Sequence, residues 1–376
     1  MPAPLTILQT CFSNSWGGLE MQALELSRQL HARGHTVWLA APGGSRIAQE
    51  AAHHPFHFLP LAVRGYVHPI LAWRLSRFIT TNRVDVIHCQ HSRDLATVIP
   101  ARQLAGGTVP VLLSKRMGSY IQKKDLFHRY TYARVRYVLA ISDVINRNVL
   151  DTTPMTPDRV LTLHDAVDLT MFDPERVDRG ATRHSFGVTD ETPIIGFVGR
   201  FSPGKGHDEI LEAARILKER GWAFRLVIVG EPSHGEESYA ATIHAKAGTL
   251  GVNDRVVFAG FRSDMPSVMA AFDIFSFPSH AEAFGVVLIE AMAMKRAVVA
   301  TNCDGVVDIV VDRMTGLMVP PRLAVPLADA LGRFLRDPDL RRRMGEAGRE
   351  RVEGLFDQRK QIDLLESIYQ DVRDER

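Results

Sequence analysis

The sequence predicts an α/β protein made of two doubly wound parallel sheets. Short apolar, β-rich runs alternate with helical patterns along the chain, the alternation occurs twice, and 376 residues suffice for two domains that each bury a core.

In the first half, Leu5 to Leu8, Thr36 to Ala40, Val84 to His88, Val111 to Leu113 and Tyr137 to Ile141 read as buried strands. Between the first two, Leu19 to His31 has apolar residues at helical spacing. The second half repeats the plan with Ile194 to Val198, Phe224 to Val229, Arg255 to Phe258, Asp273 to Phe277 and Ala297 to Thr301. A stretch without apolar periodicity, Asp173 to Asp190, is the expected boundary, giving domains over 1–178 and 179–355. In the remaining segment, 356–376, Ile362, Leu364, Leu365, Ile368 and Tyr369 recur at helical spacing, so a helix packing back on the first domain is expected. Ligands of such sheets bind beyond the carboxyl ends of the strands, so two facing sheets are expected to enclose a cleft.

Composition narrows the function. Hydrophobic residues make up 45% and charged residues 23%, as in folded globular proteins. Cys11, Cys89 and Cys303 are too few and too scattered for a disulfide framework or a zinc site, which fits a reducing cytoplasm. No basic leader precedes a long apolar run, and no segment reaches the roughly 18 apolar residues that span a bilayer. Lys+Arg exceeds Asp+Glu by 20 to 14 over residues 1–179 and falls short by 25 to 29 over the rest.

Two segments carry chemistry. Gly196-Phe-Val-Gly-Arg-Phe-Ser-Pro-Gly-Lys-Gly206 places a strand end, a Gly/Pro turn with Arg200 and Lys205, and a helix starting near His207 in succession. Glycines let backbone approach phosphate oxygens, a helix N-terminus adds partial positive charge, and the two cations suit a diphosphate. Taken alone, the segment also fits an ordinary turn with solvated cations. In Phe277-Pro-Ser-His-Ala-Glu-Ala-Phe-Gly-Val-Val-Leu-Ile-Glu-Ala-Met292, Glu282 and Glu290 are spaced E-x7-E. On one ideal helix they would sit about 80° apart, so a helix beginning near Gly285, with Glu282 in the preceding loop, is the better reading. Glu282 then reaches a sugar, Glu290 accepts from ribose hydroxyls, and the amides of Phe284, Gly285 and Val286 point at the phosphates between them. Flanked by Leu288, Ile289, Ala291 and Met292, an unpaired Glu290 charge would be costly.

With these blocks stand Gly17-Gly18-x-Glu20 after the first strand, Val167-Asp168, Val229-Gly230, Phe258-x-Gly260 and Thr315-Gly316-Leu317. In that order they resemble the retaining GT-B glycosyltransferases of family 4, the glycosyl transferases group 1 family. The resemblance covers most of the chain. It implies two Rossmann-like domains, the first receiving the acceptor and the second binding a nucleotide-diphosphate sugar. It also implies that Arg200 and Lys205 bind the diphosphate, Glu282 contacts the transferred sugar, Glu290 holds the ribose, and the stretch from Phe258 through Gly260 to Arg262 borders the base. Gly17 and Gly18 would lie near phosphate or acceptor. The implied reaction is hexosyl transfer with retention, without cofactor or metal, to a glycan or lipid-linked glycan such as a lipopolysaccharide intermediate.

Two departures stand out. Where the family often has Gly-Gly-x-Pro-Glu, this chain reads Asp304-Gly305-Val306-Val307-Asp308; where many members have a histidine after the strand at Val111, it reads Ser114-Lys115-Arg116. Arg116, a permanent cation, cannot act as a base, so Lys115 and Arg116 are assigned to phosphate on donor or acceptor. His88 and His91 are further candidates near the acceptor. His53, His54 and His57 read as surface, and no metal site is expected. The stretch 115–136 sets Lys115, Arg116, Lys123, Lys124, Arg129, Arg134 and Arg136 among Tyr120, Phe127, Tyr130 and Tyr132, which suits peripheral contact with the anionic inner face of a membrane. No nucleic-acid motif is present. A sugar-nucleotide epimerase of the same architecture and a non-catalytic nucleotide-sugar-binding subunit remain open alternatives.

Overall fold

The computed structural model describes residues 3–63, 65, 68–188, 191–233 and 235–375. The chain divides into two compact units, Met1–His164 with Gln361–Arg376, and Asp165–Lys360. Among the described residues each unit contains one parallel sheet.

The sheet of the first unit has β1 (Thr6–Thr10), β2 (Thr36–Pro42), β3 (His57–Leu61), β4 (Val86–Cys89), β5 (Val111–Lys115), β6 (Tyr137–Ala140) and β7 (Val160–Thr162), ordered β3-β2-β1-β4-β5-β6-β7. The second sheet has β8 (Ile194–Val198), β9 (Arg225–Val229), β10 (Val256–Gly260), β11 (Ile274–Phe277), β12 (Ala297–Thr301) and β13 (Leu317–Val319), ordered β10-β9-β8-β11-β12-β13. Every paired strand is parallel to its neighbour, because each connection is a crossover through helix or loop. The order reverses between β1 and β4 in the first unit and between β8 and β11 in the second. Those reversals leave a crevice at the carboxyl ends, where doubly wound proteins bind ligands.

The strands are near-continuous Val, Ile, Leu and Ala runs because both faces are covered. In the second unit Ile195, Phe197, Leu226, Ile228, Ile274 and Val299 pack against Leu211, Leu217, Leu327 and Phe334 from the helices His207–Glu219 and Ala324–Arg336. In the first unit Ile7, Val37, Leu39, Val86 and Leu112 share a core with Leu26 and Leu30, and with Ile362, Leu365, Tyr369 and Val372 of the C-terminal helix Gln358–Asp374. That helix is latched by polar contacts too. His35 takes the Leu5 amide on Nδ1 at 3.1 Å, which leaves Nε2–H to donate to Glu366 at 3.0 Å.

The division differs from the composition-based boundaries at 178/179 and 355/356. Residues 165–178 stay with the second unit: Val167 bridges Asp357, and Arg349 donates to Phe172 O at 2.7 Å. The crossing to the C-terminal segment falls at Lys360/Gln361, inside the last helix. Three strands, β3, β7 and β13, were not expected.

The C-terminal helix supplies a controlled test of core packing, since Leu365 is 2% exposed and its neighbour Leu364 is 52% exposed. Leu365→Ala is expected to cost about 2–5 kcal/mol and Leu364→Ala less than about 0.5 kcal/mol in urea unfolding followed by circular dichroism.

Candidate functional site

The crevice of the second sheet is built from three loops that follow β8, β11 and β12. The first, after Val198, turns through Arg200 to Gly206 and enters the helix His207–Glu219. Gly206 has φ of 85°, and a Cβ there would lie 2.2 Å from Pro278 O, so only glycine lets this turn rest on the loop after β11. His280 N completes the junction, donating to Gly204 O at 2.8 Å. The third loop is tied in by Asp304 Oδ2, which accepts from Glu282 N at 3.2 Å, while Gly305 N donates to Glu282 O at 2.9 Å. Gly305 is as close-set as Gly206: a Cβ would meet Ala283 O at 2.2 Å.

These contacts bring Lys205 and Glu282, 77 residues apart in sequence, to a 2.6 Å ion pair in which both side chains are partly buried. A pair at such exposure is worth on the order of 1 kcal/mol, so an arriving diphosphate can exchange with Glu282 as the partner of Lys205. Arg200 is exposed and lies 3.3 Å from Ser233 Oγ and 3.8 Å from Glu236 Oε2. Two helices begin at the crevice, at His207 and at Val286, and their first amides supply donors for anionic oxygens.

The helix Val286–Ala293 starts at Gly285, whose φ is 120°, leaving Glu282 in the loop and Glu290 in the second turn. Phe284 is buried and meets Phe356 edge-on at 5.7 Å, so its ring packs inside the unit. Glu290 keeps a partly accessible edge, yet protein surrounds its carboxyl. Burial pushes its pKa up to about 7, and among the described residues no side chain hydrogen-bonds it. At the sheet edge, Phe258 packs against His244 at a tilt, ring centroids 3.9 Å apart, and Gly260 is exposed with φ of 67°. Arg262 is clamped by both carboxylate oxygens of Asp264 at 2.7 and 2.6 Å and lies over Phe186.

In the first unit the corresponding crevice lies between the loops after β1 and β4. Gly17 and Gly18 open the helix Gly18–Ala32 there. Asp94, fully buried, accepts from Thr10 Oγ1 at 2.8 Å and Phe12 N at 3.2 Å, and burial raises its pKa to about 7. His91 is half-buried; burial and then Arg93, Lys115 and Lys123 hold its pKa down near 4. Lys115 lies 3.5 Å from Ser92 Oγ, and its pKa falls to about 8, first from burial and then from Lys123. Arg116 is partly buried beside this group.

His88 is corrected as a candidate. It is 1% exposed, with Nδ1 2.6 Å from Tyr369 OH and Nε2 2.9 Å from Ser114 Oγ, so neither nitrogen is open to a substrate. Burial, and secondarily Arg116, depresses its pKa to about 3 and keeps it neutral. Of the cations and aromatics named in the stretch 115–136, Lys115 and Tyr132 are buried, Arg116, Lys123 and Arg134 are partly buried, and Tyr120, Lys124, Phe127, Arg129, Tyr130 and Arg136 are exposed. Residues that sequence reasoning missed are Asp94, Asp304 and the His280–Glu209 pair at 2.9 Å. All act through partners distant in sequence and carry no local signature.

Two family descriptions match the chain: Glycosyltransferase Family 4 over residues 16–171 and Glycosyl transferases group 1 over residues 178–351. A D-inositol 3-phosphate glycosyltransferase of Nocardia farcinica is 33% identical over 267 residues, 70% of this chain and 56% of that relative, so the match spans about half of the relative's length. Among solved structures, a glycosyltransferase of Rickettsia africae ESF-5 superposes with a TM-score of 0.88 at 24% identity, covering 98% of both chains. Anabaena HepE in complex with UDP superposes with a TM-score of 0.85 at 19% identity, over 98% of this chain and 100% of that one. These likenesses establish the two-unit GT-B fold.

The raised pKa of Glu290 sets a stability profile. Its carboxyl binds a proton more tightly folded than unfolded, so its contribution is fully present below the ordinary value of 4.5 and is lost as pH rises through about 7. The urea midpoint of the wild type is expected to fall more between about pH 5 and about pH 8 than that of Glu290→Gln, which cannot ionise. Equal falls would contradict it.

Proposed function

We propose that this chain, which belongs to the glycosyl transferases group 1 family, moves a hexose from a nucleotide-diphosphate donor to a glycan or lipid-linked glycan with retention of anomeric configuration and without a bound metal. The observation that carries the proposal is the Lys205–Glu282 pair at the point where the strand order of the second sheet reverses, between two helix N-termini. A cation, two sets of free amides and two carboxylates converge there, matching the charge and hydroxyl pattern of a nucleotide sugar.

In this reading the diphosphate displaces Glu282 from Lys205 and is held by Lys205, Arg200 and the amides near Val286. Glu282, still tethered through its own amide and carbonyl, turns to the sugar. Glu290 accepts from ribose hydroxyls, which supply the hydrogen bonds its carboxyl lacks. Phe258, Gly260 and Arg262 border the base. The bond between the anomeric carbon and the phosphate oxygen breaks with its electron pair going to the phosphate. The acceptor oxygen attacks from the same face and gives its proton to that departing oxygen. Fixed positive charge at the leaving group is the main source of rate.

The acceptor half is assigned to the first unit, where Lys115, Arg116, His91 and the Gly17-Gly18 turn line the carboxyl edge of the sheet. A phosphorylated or otherwise anionic acceptor suits this balance of charge. Tyr120, Ile121, Leu126, Phe127 and Tyr130 are exposed beside Lys123, Lys124 and Arg129, which supports peripheral contact with an anionic membrane carrying a lipid-linked acceptor. Among the described residues no helix is long and apolar enough to cross a membrane.

UDP-glucose is the first donor to assay, since HepE was solved in complex with UDP-glucose. Glu282→Ala and Lys205→Ala are each expected to lower turnover by roughly a hundredfold or more with the fold intact. Glu290→Ala is expected chiefly to raise the donor Kd, read by calorimetry. Wild-type turnover in either of the first two variants, or an unchanged Kd in the third, contradicts the assignment. Acceptor-dependent nucleotide release that persists in EDTA is also expected; a strict requirement for added Mg²⁺ or Mn²⁺ contradicts the metal-free leaving-group chemistry.

A further inference from the structure

The first unit carries a second basic concavity on the opposite edge of its sheet. Thr108 and Pro110 precede β5, Ala133 to Arg136 precede β6, and Arg159 precedes β7; with Arg102, Val372 and Glu375 they line an open cavity of about 650 Å³. It therefore lies at the amino ends of these strands. A five-residue strand spans roughly 17 Å, which separates the cavity from the carboxyl edge that carries Lys115 and Arg116.

Four guanidinium groups, Arg102, Arg134, Arg136 and Arg159, face one lining carboxylate, Glu375. Each arginine is held in place. Arg102 Nε donates to Val109 O at 2.8 Å, Arg134 donates to Tyr130 O at 2.8 Å and lies 3.9 Å over that tyrosine ring, and Arg159 donates to Ala133 O at 3.2 Å and also to Val135 O. Arg136 pairs with Glu375. Like charges crowd one another: burial and then Arg134 lower the pKa of Arg102, and burial and then Arg136 lower that of Arg159. Among the described residues Asp158 is a further acid in their field; it is exposed, and its carboxyl is held below the ordinary range by Thr156 and secondarily by Arg159 and Arg136. Neither acid offsets four cations.

The geometry points to a second ligand site here, which takes a soluble anion carrying two or more phosphate groups. The volume suits a small organic polyphosphate, and pre-positioned planar guanidinium groups match phosphate oxygens in pairs. No residue of the proposed donor or acceptor sites lines this cavity, although Arg134 and Arg136 belong to the basic stretch 115–136, so the inference stands or falls apart from the transferase reading.

Calorimetric titration of the full chain with inorganic pyrophosphate and with triphosphate tests it. Saturable binding is expected, weakened on the order of tenfold in Arg134→Gln and in Arg136→Gln. Glu375→Gln, which removes the lining acid and frees Arg136, is expected to bind more tightly. Because a diphosphate also fits the crevice at Lys205, the same titrations are made in a Lys205→Ala background, where the losses in Arg134→Gln and Arg136→Gln are expected to persist. Absence of saturable binding, or affinities indifferent to these substitutions, would overturn the proposal. So would binding to phosphatidylglycerol vesicles, but not to free polyphosphate, that is lost in Arg134→Gln and Arg136→Gln, since the site would then serve lipid headgroups.

Discussion

The crevice of the second unit depends on a close approach of two backbones, Gly206 against Pro278 O. Because no side chain can stand between them, the turn after β8 and the loop after β11 lie in contact at the reversal of strand order. Lys205 and Glu282 are then placed by the turns themselves rather than by long, mobile stems. Gly305 repeats the device on the other side of Glu282, against Ala283 O. The loop bearing the acid is thus braced from both sides, and its freedom is confined to the side chain, where a ligand can use it.

The two crevices divide their electrostatics differently. In the second unit Arg200 is exposed, Lys205 is partly buried in its pair with Glu282, and Glu290 is pressed into apolar surroundings. In the first unit burial has the larger part: Asp94 is spent on holding the β1 turn, His88 on linking β4 to the C-terminal helix and to β5, and Lys115 sits with a lowered pKa at the strand end. Its polar groups therefore shape the crevice more than they populate it, and His91, Lys115 and Arg116 remain at its rim.

Much of this was legible in the sequence because it is local. The E-x7-E spacing demanded a helix start between the two acids, and the helix begins at Val286. The Gly/Pro turn with Arg200 and Lys205 opens a helix at His207. The unexpected strands were illegible for physical reasons. β3 contains Pro60, which reads as a breaker but is tolerated because β3 lies at the sheet edge, and β7 and β13 are three residues long, too short for periodicity to register. Non-local partnerships were beyond reach in the same way: Asp94 meets Thr10 across 84 residues and His88 meets Tyr369 across 281. A histidine at a strand end looks the same in sequence whether it faces a substrate or a buried tyrosine.

Hydrogen–deuterium exchange on the full chain, with and without UDP, tests the central claim most directly. The account predicts slowed exchange in two stretches, 199–208 and 284–290, where the turn and the two helix starts would surround the diphosphate. Unchanged exchange in both stretches, with protection confined to the first unit, would contradict it.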